Sequence, residues 1–170
     1  MNKIEVFYDH TCPYCLRGLN NFLRLAADYP QADIVWLPVE AHPKVLEPEH
    51  KPYADLAVMG AFFARDHGID LALYNERVFD MYFNERRQVD DPQALARAVK
   101  PLGIDPEAFA AALTDGRYEE ALAQANSYAY EANKIWAVPS FICGDKRLDA
   151  VEGVGVSEEQ LAAFLKDCCG

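Results

Sequence analysis

Apolar residues follow two rhythms along this chain. Residues 4–8 (Ile4, Glu5, Val6, Phe7, Tyr8) and 34–37 (Ile34, Val35, Trp36, Leu37) are short apolar runs suited to buried strands. Between them Leu16, Leu19, Leu23 and Ala26 recur at helical spacing, with Phe22 beside the stripe. Residues 4–38 therefore predict a β-α-β unit with parallel strands and a right-handed crossover. Pro38, Pro43, Pro48 and Pro52 mark residues 39–52 as a loop.

Helical patterns then dominate to about residue 134. Leu56, Met59 and Phe63 make one stripe, and Tyr74, Val78 and Tyr82 another. Asp91-Pro92 and Asp105-Pro106 each place an N-cap Asp before a Pro at the first helical position. Leu95, Val99 and Leu102 follow the first pair, Phe109 and Leu113 the second, and Gly103 and Gly116 suit the stops. Residues 117–134 read as a longer helix through Tyr118, Leu122, Ala125, Ala129 and Ala132. The period then changes: residues 140–143 predict a strand, Gly144-Asp145 a two-residue turn, and 147–151 the return strand. Ser157 and Gln160 fit a capping box before a last helix carrying Leu161, Phe164 and Leu165. No internal repeat or low-complexity segment interrupts the order β-α-β, helical block, β-β-α.

At 170 residues the chain is one domain, or one domain carrying an insertion, and 51% apolar content supports a full core. Sixteen basic against 27 acidic residues leave a net charge of −11, which argues against nucleic acid or an anionic membrane as partner. The opening residues carry no signal-type apolar segment, and no long apolar span follows, so a cytoplasmic protein is expected. Five cysteines, an odd number, do not suit a secreted disulfide framework. Nothing in the sequence indicates an oligomeric state.

The tetrapeptide Cys12-Pro13-Tyr14-Cys15 lies between the first strand and the first helix. A pair of thiols at a helix start can close into a disulfide and reopen, and the helix N-terminus favours the first thiolate. Half of a zinc site and a small structural staple are the competing readings. Zinc takes about four ligands, and no second Cys-x-x-Cys or His-x-x-x-His accompanies the pair, so no metal is expected. Beside a β-α-β pattern the motif points to redox chemistry.

With these pieces in place, the chain resembles the DsbA-like thioredoxin family, in its cytosolic, FrnE-like or kappa-transferase-related branch. The resemblance rests on residues 7–15 (Phe7 to Cys15), on Ala137-Val138-Pro139-Ser140-Phe141-Ile142, on residues 73–83, and on Leu102-Gly103-Ile104-Asp105. It implies a thioredoxin fold with a helical domain inserted after the second strand. Residues 1–47 and 117–170 would form the thioredoxin-fold domain and 48–116 the insertion, packed over the active-site end. Cys12 would be the attacking thiol and Cys15 the resolving one. Pro139 would follow a cis peptide bond, packing against the cysteines and exposing the backbone of Val138 for a substrate to pair with. Pro13 and Tyr14 would meet substrate and tune the thiolate. Many family members carry His where this chain has Tyr14; its Pro-Tyr pair is instead like that of glutaredoxins.

The remaining residues have plainer expectations. Asp9 and His10 are proton relays for Cys15, groups that bias the Cys12 charge, or loop residues at a strand end. His42, His50 and His67 read as surface. Cys143 reads as a small buried hydrophobe, and Cys168-Cys169 as a frayed exposed tail, or as a second thiol pair exchanging with Cys12 or linking two molecules. Phe62, Phe63, Phe79, Tyr82 and Phe83 read as core of the insertion, with some free to face a cleft. The resulting expectation is a thiol-disulfide oxidoreductase acting on a protein or low-molecular-weight thiol or disulfide. It needs no cofactor, with glutathione as a possible co-substrate. A glutathione-dependent transferase or isomerase of kappa type and a redox-regulated peptide-binding chaperone are the alternatives. A retained Cys15 argues against the first, since such transferases typically do without it.

Overall fold

The computed structural model describes residues 2–170. Ile4, Val6 and Tyr8 turn to one face of the first strand and Phe7 to the other, the two-residue period of a pleated chain. This strand, β1 (Asn2–Tyr8), pairs in parallel with β2 (Ala32–Pro38), setting Ile4 opposite Ile34 and Val6 opposite Trp36. Helix α1 (Pro13–Ala26) joins them and buries Cys15, Gly18, Leu19, Phe22 and Ala26. Leu16 and Leu23, expected on that stripe, sit at its flank and are half-buried.

On the other side of β1 lies β3 (Ser140–Cys143), antiparallel to it, and then β4 (Lys146–Asp149), giving the order β2-β1-β3-β4. Gly144 and Asp145 make the turn between β3 and β4, as expected. The return strand ends at Asp149, short of the expected 151. Val151 instead bridges back to Gly155 in a tight turn. Helix α7 (Glu158–Cys169) opens on the full capping box of Ser157 and Gln160. It packs with α1 over one sheet face, where Phe22, Phe141, Leu161, Phe164 and Leu165 close on Ile4, Val6 and Tyr8.

Between β2 and β3 come α2 (Asp55–Asp66), α3 (Leu71–Phe79), α4 (Pro92–Val99), α5 (Pro106–Thr114) and α6 (Glu119–Ser127). Asp91 caps α4 by accepting from the N–H groups of Gln93 and Ala94, and Asp105 caps α5 by accepting from Glu107. A second core, with Val58, Phe62, Phe63, Tyr74, Leu95 and Phe109 among its members, holds these helices together. Phe79 and Phe83, expected in it, join the sheet core instead. A single π-helical turn, Asp80–Asn84, extends α3, and another, Tyr128–Ala132, extends α6.

Helix α6 with its extension links the two cores. Tyr118 lies in the helical core with Leu122 and Ala125 packed against it, while Ala129 packs with Phe7, Val39 and Ile135 on the second sheet face. A reciprocal pair locks this arrangement: Asn126 Nδ2 donates to Glu40 Oε2 at 2.8 Å, and Glu40 N–H donates to Asn126 Oδ1 at 3.0 Å. Glu40 is almost fully buried, and desolvation raises its carboxyl above the ordinary range. Among the described residues no helix is long and apolar enough to cross a membrane.

Candidate active site

Cys12 is the N-cap of α1, and Cys15 lies in its first turn. Pro13 takes the first helical position, where a missing N–H costs no hydrogen bond. Cys12 is half-buried and Cys15 fully buried, both as thiols. The Cys15 N–H donates to Cys12 Sγ at 3.4 Å, and the Asp9 N–H donates to Cys15 Sγ at 3.5 Å. The hydrogen bond from the Cys15 thiol, with help from the N–H groups of Cys15 and Tyr14, holds Cys12 below the ordinary thiol range. Partial burial and the Asp9 carboxylate oppose that shift. Burial and the bond to Cys12 push Cys15 well above the ordinary range. Two thiols one helical turn apart are thus displaced in opposite directions, because one sits at the helix mouth and the other in the core.

Asp9 is 2% exposed, and its carboxylate is spent on the turn. Oδ1 accepts from the N–H and hydroxyl of Thr11, each at 2.7 Å, and Oδ2 accepts from the Ala41 N–H at 2.7 Å. It therefore ties the cysteine turn to the loop after β2. His10 is fully buried and points elsewhere: its Nε2 meets Asn75 Oδ1 at 2.8 Å, and Tyr8 donates its hydroxyl to the same oxygen at 2.9 Å. Tyr8, Tyr74 and Phe79 ring the imidazole. Desolvation lowers its pKa to about 4, so it stays neutral. Of the two residues expected beside the thiols, Asp9 lies there and His10 anchors α3 to the end of β1.

The peptide bond between Val138 and Pro139 is cis, as the resemblance implied; a second cis bond, Lys51–Pro52, was not anticipated. The Pro139 ring packs on α1 at Gly18, and the Cys12 thiol points to the Val138 carbonyl at 3.8 Å. The segment is braced from behind. The Ser140 hydroxyl lies 2.7 Å from both Ala137 O and Asp149 Oδ1, and Arg147 donates to the carbonyls of Asn133 and Lys134. Tyr14 lies under the turn after β4. Gly155 there has φ of +85°, and a Cβ on it would stand 3.1 Å from the Tyr14 ring and 2.9 Å from Arg17.

These pieces border an open cleft of about 400 Å3 that brings together Cys12, Pro13, Tyr14 and Val138. His42 and His50, expected only as surface residues, also line it, as does Trp136. The two imidazoles stack at 3.5 Å between centroids, and Trp136 is 64% exposed. His67 is exposed at the end of α2, away from the cleft lining. A Trp two residues before Val138 was a usable signal for a contact surface. The histidines gave none, since only the folded loop brings them to the cysteines.

The sequence profile of the DSBA-like thioredoxin domain matches residues 3–166. The Bacillus subtilis (strain 168) protein YwbO is 28% identical over an alignment of 192 residues, covering 94% of this chain and 95% of that one. Among solved structures, a probable DsbA oxidoreductase from Streptomyces coelicolor superposes with a TM-score of 0.81 at 16% identity, over 99% of this chain and 90% of that one. The cytosolic disulfide reductase DsbM from Pseudomonas aeruginosa, in its structure with GSH, superposes with a TM-score of 0.71 at 15% identity, over 97% and 98%. A match running almost end to end, on a fold that sets paired cysteines at the mouth of its first helix, places this chain in the DsbA-like thioredoxin family of thiol-disulfide oxidoreductases.

Proposed function

We propose that the protein is a cytoplasmic reductase that exchanges its Cys12–Cys15 pair with a low-molecular-weight disulfide of the glutathione type. The observation that carries this is the opposite displacement of the two thiols at the edge of a cleft of about 400 Å3. Cys12, as thiolate, attacks one sulfur of the disulfide, and the other sulfur leaves as a thiolate that takes up a proton. Cys15 then gives up its proton and attacks Cys12 Sγ, expelling the second thiol. One external disulfide becomes two thiols, and the protein dithiol becomes a disulfide. Two molecules of an external thiol reverse the change, so no prosthetic group is required. The GSH in the DsbM structure supports this substrate class.

The redox poise supports the direction. Tyr14 adds no cation to the helix-terminus effect on Cys12, so the couple belongs at about −190 to −250 mV, near glutaredoxins. At that potential a reducing cytoplasm keeps the pair mainly as dithiol. Equilibration with defined glutathione ratios, followed by thiol counting, tests this directly. A potential above about −150 mV would make the protein an oxidase instead.

A second reading, a protein disulfide as substrate, is favoured by the exposed Trp136 beside the Val138 backbone. An extended segment pairing with Val138 would rest on that indole. Trp136→Ala should then slow insulin reduction more than reduction of glutathione disulfide. A kappa-type transferase would keep its conjugating activity in Cys15→Ser, whereas the exchange reaction would stall there. A peptide-binding chaperone would keep its binding in Cys12→Ser.

A further inference from the structure

The other three cysteines lie toward the end of the sheet opposite Cys12. Because β3 runs antiparallel to β1, its last residue, Cys143, lies beside the start of β1, while Cys12 follows the end. The register sets Cys143 opposite Ile4, so four steps of about 3.3 Å separate it by roughly 13 Å from the Tyr8 end of β1, and Cys12 lies four residues beyond Tyr8, too far for direct exchange. Helix α7 brings Cys168 and Cys169 to the same corner. Its last turn, expected to fray, is clamped. Asn2 Nδ2 donates to the Cys168 carbonyl, Lys146 Nζ to that of Asp167, and Gln31 Nε2 to that of Cys169 at 3.0 Å. Carbonyls that a helix end leaves unpartnered are thus held by side chains from three other segments.

The clamp holds the buried Cys168 in the same sheet core as the half-buried Cys143. Both line a surface pocket of about 530 Å3 that also includes Lys3 and Lys146. Among the described residues no three His, Cys, Asp or Glu side chains form a metal-binding group, so a shared metal does not account for the cluster.

We propose that Cys143 and Cys168 form a second thiol-disulfide site, open to low-molecular-weight disulfides through this pocket. Cys143 Sγ, on losing its proton, attacks one sulfur of the external disulfide, and the other sulfur leaves and takes up a proton. Cys168 Sγ then loses its proton, attacks Cys143 Sγ and expels the second thiol. One external disulfide is reduced to two thiols, the Cys143–Cys168 bond forms, and two electrons pass from protein to substrate. Cys169 remains a thiol, because vicinal cysteines close only a strained disulfide. Burial, and then the neighbouring Cys143 thiol, push the Cys168 thiol up to about 12. The site is therefore slow at neutral pH, and its disulfide, once made, staples the last turn of α7 to β3.

The test uses full-length Cys12→Ser/Cys15→Ser protein, which keeps three of the five thiols. Incubated with excess glutathione disulfide at about pH 8.5, it should fall from three thiols to one as a monomer, with Cys143 linked to Cys168 in the peptide map. The rate should rise with pH, because the thiolate is the attacking form. Adding Cys143→Ser should abolish the internal bond and leave only glutathione adducts. Peptide mapping of the oxidised wild-type chain repeats the test with the native cysteines in place and should show the same bond. Persistence of three thiols, a Cys168–Cys169 bond, adducts without an internal bond, or a disulfide-linked dimer would each overturn the proposal. Because the variant lacks Cys12 and Cys15, the outcome is read independently of the first pair.

Discussion

The ring of Pro139 lies directly on the backbone of Gly18: a Cβ at position 18 would stand 2.8 Å from Pro139 Cγ. Gly18 is one turn beyond Cys15, so the contact seats the proline segment against the active-site helix. Helix propensity alone favours Gly18→Ala by about 1 kcal/mol. The close contact reverses the sign, since overpacking of this kind costs about 1–3 kcal/mol. Gly18→Ala should therefore unfold at lower urea and exchange disulfides more slowly. An increase in stability would show that the proline segment yields without cost.

Cys12 should react first. Its thiol lies below the ordinary range and that of Cys15 well above it, so the Cys12 thiolate dominates at every pH near neutrality. Limiting iodoacetamide should label Cys12 alone. Cys12→Ser should abolish exchange with glutathione disulfide, and Cys15→Ser should accumulate a mixed disulfide on Cys12. Initial labelling at Cys15 would reverse the assignment.

Asp9 raises the pKa of both cysteines through its charge while its oxygens hold the turn. Asp9→Asn removes the charge and keeps one acceptor oxygen. The alkylation midpoint of Cys12 should move to lower pH and the couple should become more oxidising. Loss of the bonds to Thr11 or Ala41 should cost about 1–3 kcal/mol of stability. A midpoint that stays put or rises would mean that the Asp9 charge does not reach the sulfur.

His10 makes stability depend on pH. Its folded pKa, about 4, lies below its unfolded value of 6.5, so the unfolded chain binds the proton first. Its contribution is complete above about pH 6.5 and is lost as pH falls toward 4, at up to about 1.4 kcal/mol per pH unit. Urea denaturation from pH 7 to 4 should show this slope in the wild type and a flatter one in His10→Gln. Equal slopes would assign the acid sensitivity to other groups.

Much of this fold is local, and local chemistry is written in the sequence. Apolar alternation at Ile4, Val6 and Tyr8 marks a strand before its partners are known, and the caps at Asp91, Asp105 and Ser157 bond to N–H groups two or three residues away. The helix-mouth position of Cys12 follows from the same short range, since strand, turn and Pro13 are contiguous. What required the tertiary structure is every relationship that spans distant segments. His10 could not be assigned until Asn75 of α3 came to meet it, and the charge of Asp9 could not be placed until Ala41 folded back over the turn. Phe79 and Phe83 carry the periodicity of the helical block, yet the end of α3 lies on the sheet core and they pack there. Cys143 and Cys168 are 25 positions apart and unremarked by any motif; only the antiparallel return of β3 and the clamped end of α7 make them neighbours. Hydrophobic periodicity specifies which face of an element is buried. It is silent on which other element buries it, because burial is non-directional, and that choice falls to the packing of the whole chain.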